Sequence, residues 1–115
     1  MISIGVAMIA RNSAQIVHQA LQPFAGVVDQ IAIVLGGVST DATRAVAEEY
    51  TSNVAQYAGP MDEDGRLLDF GAARQQSFDA LSTDWAVVVD TDDCWTGVER
   101  LRELIVSARP VKETV

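Results

Sequence analysis

The 115-residue sequence predicts an α/β fold: a three-layer sandwich on a mostly parallel four-stranded sheet in the order 3-2-1-4, with helices on both faces. Three observations predict it. Short Ile/Val-rich runs recur along the chain, as strands buried in a parallel sheet require. Between them lie segments whose apolar residues return every three or four positions, the repeat of a helix with one buried face. Each junction carries Gly, Pro, Asn, Asp or Ser, the residues that break regular structure. Strand and helix thus alternate as β-α-β-α-β-α-β-α, and right-handed crossovers between parallel strands leave few other arrangements.

Ser3 to Ala10 (SIGVAMIA) reads as the first strand, ended by Arg11 and Asn12. Asn12 is placed to cap the next helix, with Gln15 at the capping-box position, and Ile16, Val17, Ala20, Leu21 and Phe24 then share a face. Pro23 should end or kink that helix, having no amide hydrogen to donate. His18, the single histidine, falls off the apolar stripe and is expected to face solvent. Gln30 to Leu35 (QIAIVL) forms the second strand, and Gly36-Gly37 after it permit a tight turn or a close ligand. Ser39-Thr40-Asp41 offer oxygen acceptors to the start of the second helix. Asn53 to Ala58 (NVAQYA) alternates in polarity and reads as an edge strand.

Gly59 to Asp69 is the longest loop and carries four acids; such a loop is usually solvated surface, and its place at the end of the third strand also allows it to border a ligand site or move over one. Phe70 to Arg74 begin a third helix with Phe78 and Leu81 inward. Trp85 to Val89, five apolar residues of which three are β-branched, predict a strand in the middle of the sheet, covered on both faces. Asp90, Asp92 and Asp93 follow at once. Thr96-Gly97 start the last helix, with Val98, Leu101, Leu104, Ile105 and Ala108 on one side, and Arg109-Pro110 end it.

Eight Lys plus Arg against sixteen Asp plus Glu give a net charge of −8. Nucleic acids and anionic membranes are held by basic patches, so neither is an expected partner. No apolar run reaches the roughly 18 residues that cross a membrane, and no signal-peptide pattern opens the chain, which gives a cytoplasmic expectation. A single cysteine, Cys94, allows no internal disulfide and no zinc clip, and is expected as a packed thiol.

Strand order 3-2-1-4 has its switch point between strands 1 and 4, and open parallel sheets bind ligands outside the carboxyl ends of the strands at that point. The Rossmann-like crevice there is bordered by Arg11-Asn12 and by Asp90 to Asp93. Two carboxylates one residue apart can hold a hard divalent cation, which takes oxygen ligands. Taken alone, a helix cap is the plainer reading of such acids. No GxGxxG follows the first strand and no GxxxxGK[ST] occurs, so neither a dinucleotide fingerprint nor a P-loop is available.

On IARNS (Ile9 to Ser13), LQPFAGVVDQIAIVLGGVSTDAT (Leu21 to Thr43) and DFGAARQQSFDALSTDWAVVVDTDD (Asp69 to Asp93) the chain resembles the N-terminal half of the family-2 type glycosyltransferases. Members read as a strand into K-N-E, a valine-rich strand into D-x-G-S-T-D-G-T, then D-F-x-x-A-R-N and D-W-x-x-x-L-D-A-D. The resemblance implies the nucleotide-sugar-binding half of the glycosyltransferase A-type fold over residues 1–109, with 110–115 as a tail. It implies Asp90-Thr91-Asp92 as the D-x-D, with Asp90 toward the nucleotide ribose and Asp92, with Asp90, on Mn²⁺ or Mg²⁺. Asn12, Ser39, Asp41 and Arg74 match elements that lie near the nucleotide. Leu35 stands where the family often has a base-contacting acid, one extra residue precedes Ser39, and Ser13 replaces a glutamate.

The family's acceptor half and catalytic base have no counterpart, so no catalytic residue is assigned. The expected function is the nucleotide-diphospho-sugar donor-binding domain of an inverting, metal-dependent glycosyltransferase, truncated and inactive alone. The alternative is a non-catalytic oligomerising module that keeps the fold. Either way the partners expected are a nucleotide sugar and a second copy, paired as a homodimer through the strand-4 edge that truncation leaves open.

Overall fold

The computed structural model describes residues 2–108. Among them, the strands are β1 (Ile4–Ala10), β2 (Gln30–Leu35), β3 (Val54–Gln56) and β4 (Trp85–Val88), and the helices are α1 (Ala14–Leu21), α2 (Thr43–Glu48), α3 (Phe70–Asp79) and α4 (Leu101–Ala108). The strand order is β3-β2-β1-β4 and every pairing is parallel, with Val6 opposite Ile31, Ile33 opposite Val54 and Ala7 opposite Val88. The expected α/β sandwich and its order are therefore present.

Side chains alternate across a strand, so the sheet buries two different sets. Val6, Met8 and Ala10 of β1 and Ile31, Ile33 and Leu35 of β2 pack with Val17, Ala20 and Leu21 of α1, Phe24 and Ala47 of α2. On the other side Ile9 and Val34 meet Ala73 of α3, with Tyr57, Met61 and Leu67. Each large side chain fully buried here, Leu21 or Phe24 for example, contributes about 1.5–3 kcal/mol. The steps from β1 to β2 to β3 move outward and keep α1 and α2 on one face. The step back past β1 to β4 puts α3 on the other, as a constant crossover hand requires.

Several local expectations change. Ser13, not Asn12, is the N-cap residue of α1; its own side chain makes no cap hydrogen bond and Gln15 completes no capping box. Asn12 sits at φ 47°, a left-handed conformation Asn tolerates better than most residues, because its side chain reaches sideways to another loop. Pro23 falls in a 3-10 turn at Gln22–Phe24 directly after α1, the break anticipated from its missing amide hydrogen. Along α3 the fully buried positions are the small Ala73 and Ser77, which let the helix lie close to the sheet, while Phe78 and Leu81 are only half-buried.

β4 lies at the edge, as the order 3-2-1-4 implies, and is not the central strand covered on both faces that its apolar run predicts. Among the described residues it pairs only with β1. Trp85 and Val88 are 39% and 38% exposed, because α3 packs against β1 and β2 and leaves this part of the sheet uncovered. Only Val87 and the fully buried Val89 enter the core. Gly97, left-handed at φ 72°, is the N-cap of the last helical segment, which opens with a 3-10 turn at Val98–Arg100 and continues as α4. The expected helix stop at Arg109-Pro110 and the tail at 110–115 lie outside the described residues.

Candidate functional site

Val89 continues the ladder, its amide donating to the Ala7 carbonyl at 3.1 Å, and then the chain turns. The Asp93 carboxylate closes the turn by accepting from the Asp90 amide at 2.9 Å and from Trp95 Nε1 at 3.4 Å, while the Asp93 amide donates to the Asp90 carbonyl at 3.0 Å. Trp95 in turn lies edge-on to Phe24, ring centroids 5.4 Å apart. Asp93 therefore caps a turn and not the following helix, and the core anchors that turn through an indole. Cys94, next to it, is exposed and not the packed thiol expected, since Trp95 takes the buried place.

With the turn held, Asp90, Asp92 and Asp93 each bring a carboxylate oxygen within 4.8 Å of the others. Asp90 and Asp92 are exposed. Such an all-oxygen set suits a hard divalent cation that keeps further positions for water and phosphate, and it is ill suited to soft metals.

Arg74 comes to the same place from α3, whose first turn is capped by Asp69 Oδ1 accepting from the Ala72 amide at 3.0 Å. Its Nη2 lies 3.6 Å from Asp90 Oδ1, close enough for an ion pair and too far for a hydrogen bond. The guanidinium carbon stands 5.0 Å from the centre of the Phe70 ring, a cation–π contact. Phe70, itself 55% exposed, was legible in the sequence only as a helix start.

The loops after β1 and β2 are riveted to each other. The Asn12 amide donates to Ser39 Oγ at 3.0 Å, and Asn12 Oδ1 accepts from the Thr40 amide at 2.7 Å. Asp41 accepts from the Ala14 amide at 3.2 Å, the Thr43 amide at 3.0 Å and the Thr43 hydroxyl. The Thr43 hydroxyl, fully buried, accepts in turn from the Ser13 amide at 2.8 Å. The Thr43 hydroxyl is also the main cause that lowers the Asp41 pKa, ahead of the opposing desolvation and the Thr43 and Ala14 amides. A depression of about 490 Å³ beside the rivet is lined by Asn12 to Ile16, Asp41 and Ala42.

Gly59 to Asp69 is not loose surface. It folds into a small hairpin, with Met61 bridged to Leu67 and the Asp62 carboxylate accepting from the Asp64 and Arg66 amides at 2.8 and 3.0 Å. The hairpin docks on the end of β2: Val38 donates to the Gly65 carbonyl at 2.8 Å, and a Cβ at Gly37 would stand 2.2 Å from that oxygen. Arg11 props it from the end of β1, with Nη2 3.3 Å from the Asp64 carbonyl and Nε buried without a partner among the described residues. His18, as expected, is exposed; it hydrogen-bonds Tyr50 Oη, apart from these loops.

Asn12, Ser39 and Asp41 thus lie at the ends of β1 and β2, and Arg74, Asp90 and Asp92 gather at the end of β4. β1 and β4 run parallel with Ala7 opposite Val88, so the groups that follow their carboxyl ends share one end of adjacent strands.

Comparison with known proteins bears on this arrangement. The family model described as glycosyl transferase family 2 matches residues 5–109. No protein among the curated ones matches the chain. Among solved structures, S. aureus TarS 1-349 is similar at TM-score 0.67 and 19% identity, over 91% of this chain and 31% of that one. Glucosyl-3-phosphoglycerate synthase from Mycobacterium tuberculosis, in complex with Mn²⁺ and UDP-glucose, gives TM-score 0.67 and 21% identity over 96% of this chain and 40% of that one. The same synthase with Mg²⁺ and UDP gives TM-score 0.67 and 20% identity, covering 96% and 41%. At such identities the likeness is one of fold, and the chain spans 31% to 41% of the length of these three.

Proposed function

The chain belongs to glycosyl transferase family 2, and from that membership and its carboxylate cluster we propose that it binds a nucleotide-diphospho-sugar donor, with a divalent cation, for an inverting glycosyltransferase. The observation that carries the reading is the convergence of Asp90, Asp92 and Asp93 within 4.8 Å at the end of β4. That is the switch point at which such sheets bind ligands, and Arg74 stands beside it. The neighbouring synthase structures in complex with Mn²⁺ or Mg²⁺ and a uridine diphosphate support the choice of cation and ligand class.

In this reading Asp90 and Asp92 hold Mn²⁺ or Mg²⁺, and Asp93 keeps the turn that aims them. A bound cation would screen the acids from the diphosphate and stabilise a departing nucleoside diphosphate. Arg74 offers its guanidinium fork to phosphate oxygens. Asp90 faces the ribose, while Asn12, Ser39 and Asp41 shape the floor between the ends of β1 and β2. Transfer to an acceptor needs a general base, and we assign that role to none of the described residues, so the proposal for them is donor binding. The free, exposed Cys94 fits a reducing compartment, and we place the protein in the cytoplasm.

Titration calorimetry with Mn²⁺ and a panel of nucleoside diphosphates tests this. Metal-dependent binding of one nucleotide, abolished in Asp92→Asn, is the expected result. No metal-dependent binding, or binding unchanged by that substitution, would sink the reading.

A second proposal rests on the open edge of β4, where Trp85 and Val88 are exposed beside backbone groups with no strand partner among the described residues. An open apolar edge is a template for another strand, and we propose that two copies pair there as a homodimer.

A further inference from the structure

We infer that Arg74 is an exchangeable counter-charge, which neutralises Asp90 in the free protein and turns to the diphosphate once a divalent cation takes the carboxylates. This rests on the donor-site reading above and adds to it a coupling: metal and nucleotide each strengthen the binding of the other through one arginine.

The ion pairs of this protein differ in kind. Arg102 holds Asp29 at 3.0 Å with a hydrogen bond and also donates to the Ile2 carbonyl, a fixed structural tie. Arg44 with Glu48 and Arg100 with Glu103 are neighbours on their own helical segments. Arg74 alone of these reaches the acid cluster, and it stops 3.6 Å short, outside hydrogen-bond length. Among the described residues its guanidinium has that pair and the Phe70 ring and no hydrogen bond. The Arg74 side chain is 21% exposed and Asp90 is 59% exposed, so the arginine is the held partner and the carboxylate the free one.

A positive charge poised beside three acids, with its donors unused, has two consequences. It lowers the affinity of the empty carboxylates for a cation, because like charges repel and Asp90 is already partly neutralised. Once a cation occupies the acids, the same repulsion frees the guanidinium, whose planar fork matches two phosphate oxygens. The Phe70 ring keeps the group in place through the exchange, so little conformational freedom is lost when the nucleotide arrives.

The test measures Mn²⁺ alone, and UDP with GDP in parallel at saturating Mn²⁺, on the 115-residue chain and on Arg74→Gln and Arg74→Lys. Arg74→Gln should bind Mn²⁺ alone about two- to fivefold more tightly, the range that removal of an exposed ion pair spans. The same variant should bind the nucleotide about ten- to a hundredfold more weakly, the loss of hydrogen bonds to a charged group. Arg74→Lys keeps the charge and loses the fork, so its metal affinity should stay at the wild-type value while nucleotide affinity falls. Opposite signs for metal and nucleotide are the signature. If Arg74→Gln leaves metal affinity unchanged, or moves both affinities the same way, the inference is overturned while the donor-site reading stands. A wild-type chain with no metal-dependent nucleotide binding overturns both.

Discussion

Replacing Thr43 by Val should unfasten the two loops at the ends of β1 and β2 and lower the stability of the whole domain. The Thr43 hydroxyl is fully buried, accepts from the Ser13 amide at 2.8 Å and donates to the Asp41 carboxylate. Valine has nearly the same shape, so no cavity opens, but its methyl group can neither accept nor donate. The Ser13 amide, in a residue only 8% exposed, is left without a partner. An orphaned buried amide costs about 1–3 kcal/mol. With about 2.1 cal/mol/K of unfolding entropy per residue, each kcal/mol lowers the Tm of a chain this long by about 4 °C. Scanning calorimetry at pH 7 should therefore show a drop of about 4–12 °C. Thr43→Ser, which keeps the hydroxyl, should recover most of it. Mn²⁺ affinity should not change, because the acids sit on the separate turn after β4. The difference between wild type and Thr43→Val should also shrink in acid. The folded pKa of Asp41 lies below its ordinary value chiefly through this hydroxyl, so the stability it contributes is present above the unfolded pKa and lost as pH falls through the folded one. A Thr43→Val protein that melts with the wild type would refute the claim that the loops are riveted through this group.

Two further outcomes are expected. Asp84 has its pKa lowered first by the Ser3 amide and then by the Ser3 hydroxyl, and Asp29 first by the Ile4 amide and then by Arg102, both ties holding the start of β1. Depressed folded values mean stability that is full above the usual carboxylate pKa of about 4 and declines below it, so the urea midpoint should fall in that acid range and fall less in Asp84→Asn. At the open edge of β4, Val88→Lys should convert a homodimer to a monomer by light scattering, since a charged edge resists pairing; a wild-type chain that stays monomeric at high concentration excludes pairing there.

The strands and helices were legible because their signals are local. β2 begins and ends at Gln30 and Leu35 as its apolar run does, and the 3-10 turn falls on Pro23. The candidate residues were legible in part. Asp90 and Asp92 follow an apolar run at a strand end, a place that topology alone marks for ligands. What stayed hidden is contact between segments far apart in the chain. Neither Trp95 packing on Phe24, nor Arg74 beside Asp90, nor the hairpin at Gly59 to Asp69 docking on Gly37 has a periodic signature.

By itself the sequence determined the alternation of strands and helices, the order of the sheet and the end of it that gathers Asn12, Ser39, Asp41, Arg74, Asp90 and Asp92. Apolar periodicity and crossover handedness act along the chain and need no partner to be read. Only the tertiary structure decided that Asn12 fastens a loop and caps no helix, that Asp93 holds the turn, and that Trp85 and Val88 stay exposed where cover on both faces is expected. An apolar run shows that a strand must be covered, but which neighbour covers it depends on packing across the whole domain. An acid, likewise, looks the same in sequence whether a backbone amide or a cation completes it.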